Sequence, residues 1–175
     1  MRITISGPPG SGKTTVCRIL SQRLGMEAVV FGNIFRSYAA ERNMTLSELG
    51  TAAETDPSID EAIDSKILEI ARSKDDVILE SRLSAYMLER NGIPAFKVCL
   101  DASLRERVKR IGLRDGESEE EAERNTAERQ DSEAKRYIKY YGIDVSDRSI
   151  FDLIVNTDDK TPDQVAEAII RSMGA

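Results

Sequence analysis

The chain has no histidine and no tryptophan, only two cysteines, and no excess of positive charge. Without histidine, imidazole catalysis and histidine-built metal sites are excluded. Cys17 and Cys99 stand singly in apolar stretches, the setting of small core residues and not of metal ligands or a disulfide. The formal net charge of −6 leaves no basic surplus to neutralise a nucleic-acid backbone. Nucleic acid is therefore not an expected partner, and any phosphate site has to be built from locally placed arginines. No apolar run approaches the length of a membrane span, so no membrane partner is expected either. The N-terminus opens directly on a strand-like run without a signal-peptide pattern, which makes the cytoplasm the expected location. The 175 residues suit one compact domain, and a monomer is expected.

Against these absences, one run stands out: Gly7-Pro8-Pro9-Gly10-Ser11-Gly12-Lys13-Thr14 matches Gly-x-x-x-x-Gly-Lys-[Ser/Thr] at every fixed position. Arg2 to Ser6 before it reads as a strand, and Thr15 to Leu24 after it as a helix ended by Gly25. A strand, a glycine-rich turn and a helix N-terminus form a phosphate cradle, in which backbone N–H groups and the helix dipole converge on negative charge. Gly7 to Thr15 are thus the expected nucleoside-triphosphate site, with Lys13 on the outer phosphates and the Thr14 hydroxyl on Mg²⁺.

Five apolar segments read as strands: Ile3 to Ser6, Glu27 to Phe31, Asp76 to Glu80, Ala95 to Leu100, and Phe151 to Asn156. Helical patterns separate them. The spacing therefore predicts an α/β fold, a three-layer αβα sandwich of the P-loop NTPase type on a five-stranded parallel sheet. The expected divisions are a core of residues 1–31, 75–113 and 142–175, a helical acceptor-binding region at about 32–74, and a short lid at about 114–141. Ligands in such sheets bind beyond the carboxyl ends of the strands. The third strand ends in Glu80, a candidate second Mg²⁺ ligand, and Arg82 follows it towards the same cleft. Arg36 lies one turn into the helix after the second strand. Arg110 and Arg114 share one helix face beside the lid turn, and Arg129 and Arg136 share another. Spacing alone fits a phosphate clamp and a solvated charged face equally well.

The combined set, Gly7 to Thr15, Gly32-Asn33-Ile34-Phe35-Arg36, Asp56-Pro57-Ser58-Ile59-Asp60, Leu79-Glu80-Ser81-Arg82-Leu83, Arg110 to Arg114 and Glu128 to Tyr137, resembles the nucleoside monophosphate kinases. Within them it is most similar to the archaeal-type cytidylate kinases, over nearly the whole chain. The resemblance implies transfer of the ATP γ-phosphoryl to CMP or dCMP, with Mg²⁺ as cofactor and ATP and the monophosphate as partners. It implies Arg36 and Arg82 on the acceptor phosphate, and Lys13, Arg110, Arg114, Arg129 and Arg136 as the catalytic clamp. It also puts Asp56 and Asp60 in the segment that contacts the acceptor base, where they read equally well as the N-cap before Pro57 and a surface charge. Ser81 stands where the family usually carries glycine. AMP or UMP as acceptor, and an ATP-dependent switch or binding module, are the alternatives. A GTP switch is disfavoured because the chain lacks Asn-Lys-x-Asp.

Overall fold

Ile3 and Ile5 are completely buried because the first strand runs through the middle of the sheet. The computed structural model describes residues 1–174. Its elements run β1 (Arg2–Ser6), α1 (Lys13–Leu24), β2 (Glu27–Val30), α2 (Phe31–Glu41), α3 (Leu46–Ala53), α4 (Pro57–Ser73), β3 (Val77–Glu80), α5 (Ser84–Arg90), β4 (Phe96–Asp101), α6 (Leu104–Asp115), α7 (Glu119–Tyr141), β5 (Leu153–Asn156) and α8 (Pro162–Met173). The five strands are all parallel, in the order β2-β3-β1-β4-β5.

The expected α/β class and parallel five-stranded sheet are thus found. β1 sits between β3 and β4, with Ile5 level with both Glu80 and Val98. The chain order reverses at β1, and the loop leaving it faces the cleft where such sheets bind ligands.

Each face of the sheet has its own core. On one, Val16, Cys17 and Leu20 of α1 meet Val165, Ala166 and Ile169 of α8. On the other, Ile63 and Ile67 of α4 pack with Leu88 of α5 and Tyr137 of α7. Burying each such aliphatic side chain contributes roughly 1.5–3 kcal/mol. Both cysteines are free and buried, and burial pushes the Cys17 thiol up to about 12, so it stays an unreactive thiol.

Local chemistry explains the element ends. Thr45 and Ser118 open α3 and α7 with reciprocal capping boxes to Glu48 and Glu121. Strand boundaries differ from expectation by one or two residues, and two of the differences have a visible cause. Phe31 leaves β2 and begins α2. β5 begins at Leu153 because Phe151 turns into the core, edge-on to Tyr86 at 5.7 Å between ring centroids. The seven-residue α5 had no sequence signal of its own.

The expected lid of about 114–141 is tied down over part of its length. From Ser132 onward α7 is fastened to the acceptor region: Ser132 Oγ donates to the Gly50 carbonyl, Lys139 Nζ to that of Glu54, and the Tyr140 hydroxyl to that of Ala53. Only the turn at Gly116 and the amino-terminal half of α7 are left without this anchorage.

Candidate active site

The loop from Gly7 to Gly12 wraps closely against its surroundings. Gly7 has φ 147°, and a Cβ there would lie 2.1 Å from the Leu100 carbonyl oxygen. A Cβ on Gly10 would meet the Arg107 carbonyl oxygen at 2.7 Å. Neither position accepts a side chain without displacing backbone. Gly12 is the N-cap of α1, so the first helical N–H groups point out of the loop with no side chain to cap them. The Ser11 hydroxyl is buried in the loop without a hydrogen-bond partner. Lys13 donates to the Pro8 carbonyl at 3.0 Å. Burial lowers its ammonium to about 8, with Glu80 opposing that shift and Arg82 and Arg129 adding to it.

Thr14 Oγ1 donates to Glu80 Oε2 at 3.2 Å. A hydroxyl and a carboxylate beside a phosphate loop are the hard oxygen donors that Mg²⁺ takes. Mg²⁺ normally fills the rest of its octahedron with water and substrate phosphate. Among the described residues no group of three or more acidic, cysteine or histidine ligands forms a separate metal cage. The paired Thr14 and Glu80 oxygens beside the loop fit a metal that arrives with the nucleotide.

One cavity of about 650 Å³ takes in the loop, Glu80 and all the expected arginines: Arg36, Arg82, Arg110, Arg114, Arg129 and Arg136. Burial lowers the Arg36 guanidinium, and the charges of Arg114 and Arg129 lower it further, which puts cations from α2, α6 and α7 within each other's field. Each arginine has a present partner. Arg110 spans the Gly10 carbonyl, at 3.2 Å, and Thr157. Arg114 forks onto its neighbour Asp115 at 2.7 and 2.9 Å. Arg82 donates to Glu133 at 2.8 Å and to the Gly7 carbonyl at 2.5 Å. Arg129 reaches the other Glu133 oxygen at 3.3 Å. Burial alone would raise Glu133, but Arg82, Arg129, Arg136 and Lys13 outweigh it and hold the carboxyl below its ordinary value.

Two of the expected residues are held by structural partners. Arg136 lines the cavity but is tied to an acidic partner on α4. It is 3% exposed and locked to Asp60, also 3% exposed, through Nε at 2.7 Å and Nη2 at 3.3 Å, with Ser132 taking Nη1. Burial works against its charge, and the Asp60 hydrogen bond more than offsets that. Asp56, expected either at the acceptor base or as a helix cap, is the exposed N-cap of α4. Its carboxylate accepts from the Ser58 backbone N–H at 3.0 Å and the Ser58 hydroxyl at 2.6 Å, and it does not line the cavity. Asp60 does line it.

Three residues escaped the sequence reading. Glu133 looked like any glutamate of a charged helix. Arg107, buried, ties α6 to Gln130 of α7 at 2.9 Å and to the Pro9 carbonyl at 3.4 Å. Asp64 lines the cavity one turn after Asp60. Its signal was present, since Asp60 and Asp64 flank Ile63 on the buried stripe of α4, where two like charges one turn apart destabilise a helix unless they are used.

Comparison with known proteins adds to this geometry. The sequence model of the cytidylate kinase-like family matches residues 2–159. A cytidylate kinase of Natronomonas pharaonis is 46% identical over 175 residues, covering 100% of this chain and 90% of its own. One from Sulfurisphaera tokodaii is 41% identical over 97% of this chain and 93% of its own. Among solved structures, shikimate kinase from Bacteroides thetaiotaomicron superposes with TM-score 0.64 at 16% identity over 100% of this chain and 99% of its own. The Acinetobacter baumannii shikimate kinase, solved with shikimate, gives 0.63 at 18% identity over 98% and 92%. At those identities the likeness is one of fold. The sequence match spans sheet, cavity and arginines together, and on it the chain belongs to the cytidylate kinase-like family.

Proposed function

We propose that the chain transfers the γ-phosphoryl of ATP to the phosphate of CMP, giving ADP and CDP, with dCMP as a second acceptor. The observation that carries this reading is that one cavity is lined together by the triphosphate loop, by six arginines, and by Asp60 and Asp64 among apolar side chains. Cytidylate kinases align with the chain over its whole length, which favours CMP over AMP or UMP.

The loop N–H groups and Lys13 hold the donor phosphates. Arg36 and Arg82 hold the acceptor phosphate. Arg110, Arg114 and Arg129 surround the group in flight. The acceptor phosphate is anionic at neutral pH and attacks without a general base, so the reaction does not need the histidine this chain lacks. The Thr14 hydroxyl and Glu80 would hold Mg²⁺ against the nucleotide, where it neutralises charge on the phosphate oxygens. Catalysis then rests on alignment and on charge held in a site closed to water. A well-placed arginine contributes roughly a thousandfold in rate, or about 4 kcal/mol. Arg82 and Arg129 each hold Glu133 through Nε and Arg114 holds Asp115, and donors of the same guanidinium groups beyond these contacts take phosphate oxygens.

A panel of CMP, dCMP, UMP and AMP with labelled ATP tests the proposal. CMP is expected to give the highest kcat/KM. Turnover of UMP or AMP tenfold faster than CMP overturns the acceptor assignment, and ADP release independent of any monophosphate overturns the kinase reading.

A further inference from the structure

At its acceptor end the cavity runs between Phe31 and Phe35 of α2, Ile63 of α4 and Tyr137 of α7, apolar walls suited to a flat ring. One polar group in this recess is incompletely used. Asp64 is 8% exposed and lines the cavity. Its Oδ2 accepts from the Tyr141 hydroxyl at 3.0 Å, and among the described residues nothing donates to Oδ1. Asp60 differs, because Arg136 occupies both of its oxygens. A buried carboxyl with an open acceptor facing a cavity calls for a donor from whatever fills the cavity.

The geometry points to Asp64 as the residue that reads the acceptor base: Oδ1 accepts a hydrogen bond from the exocyclic amino group of an aminopyrimidine, and Tyr141 fixes the orientation of the carboxyl. The inference rests on the kinase reading above and specifies which side chain sets the acceptor. Burial, with the Asp60 charge adding to it, raises the Asp64 carboxyl to about 7, so an arriving N–H stabilises a charge the protein supports poorly. Uracil carries a carbonyl oxygen where cytosine carries its amino group. Against Asp64 that sets acceptor against acceptor, an unpaired contact that rejects the wrong base more strongly than a missing methylene would.

Asp64→Asn inverts the signal. The Tyr141 hydroxyl still needs an acceptor, so the amide oxygen faces Tyr141 and the amide nitrogen faces the ring, a donor suited to the uracil carbonyl. The experiment measures kcat/KM for CMP, UMP and the monophosphate of the pyrimidin-2-one riboside, which is CMP without its amino group. Wild type is expected to use the amino-less analogue at least tenfold less well than CMP. In Asp64→Asn that penalty is expected to vanish and the CMP-to-UMP ratio to fall at least tenfold. Should the variant not fold, Tyr141→Phe is expected to lower the CMP-to-UMP ratio with little change in the ATP KM. The inference is overturned if wild type treats CMP and the analogue alike, or if the folded variant loses all three acceptors by one common factor. It is equally overturned if Tyr141→Phe, where it is the variant measured, leaves the ratio unchanged. Absence of turnover with every pyrimidine monophosphate overturns the kinase reading itself and takes the inference with it.

Discussion

Arg82 and Glu133 meet at 2.8 Å beside the phosphate loop, joining the end of β3 to the middle of α7 across 51 residues of chain. The carboxylate also carries Arg129, so one buried anion aims two cations proposed to bind phosphate. Glu133→Gln is expected to lower kcat/KM for the acceptor tenfold or more, with a smaller effect on the ATP KM, and to destabilise the fold by about 1–3 kcal/mol. Steady-state kinetics and urea unfolding check both. Because this carboxyl sits below its ordinary 4.5 in the folded chain, its contribution is present above that value and disappears as the pH falls through the lowered one.

Lys13→Ala is expected to reduce kcat at least a hundredfold with the circular dichroism unchanged, since the ammonium holds a loop carbonyl and no core side chain. In wild type the same group sets a pH limb. With its ammonium lowered to about 8, the free protein loses this charge above that pH. kcat/KM for ATP should then fall about tenfold per further pH unit.

Arg36→Ala should separate the two substrates. Among the described residues Arg36 donates only to Asn33, at 3.3 Å, so removal leaves no buried charge behind. The acceptor KM is expected to rise tenfold or more and the ATP KM by less than threefold. Equal effects on both would remove Arg36 from the acceptor phosphate.

The two aspartates of the α4 start should behave in opposite ways. Asp60→Ala strands the Arg136 guanidinium in the interior and is expected to cost about 3–5 kcal/mol in chemical denaturation. Asp56→Ala removes only an exposed helix cap, so stability falls slightly and the CMP KM stays at the wild-type value.

Asp64 makes stability depend on pH. The folded chain binds its proton more tightly than the unfolded one, so this support is full below the ordinary 3.8 and is lost as the pH rises to about 7. Asp60, Glu133, Arg136 and Tyr141 are the charged or titratable groups that face it from α4 and α7. Thermal melts of wild type and Asp64→Asn at pH 4.5 and pH 8 should give a difference that grows in favour of the variant at the higher pH. A difference constant with pH would mean that Asp64 is ionised as easily as an exposed carboxyl.

What the sequence revealed of this site follows from how its parts are assembled. The phosphate loop was legible because one contiguous stretch supplies its glycines, lysine and hydroxyl. Glu80 was legible because a strand end beside that loop points only one way. The sheet followed from five apolar runs, with errors where Phe31 and Phe151 took core positions outside the strands. Glu133 was not legible, because its role comes from a partner 51 residues away and the helix around it is equally charged; Asp64 carried a signal in its spacing from Asp60, but its partner Tyr141 lies 77 residues away. Arg136 misled for the same reason: it shares a helix face with Arg129, yet burial turns it to Asp60.

Thr157, just past β5, donates through Oγ1 to the Ser11 carbonyl at 3.1 Å and receives Arg110 at 3.0 Å. The phosphate loop is therefore finished by a residue 146 positions further along the chain. Until synthesis has passed Thr157, the nascent chain has a phosphate loop without its back wall, and nucleotide can help the protein fold only after that point.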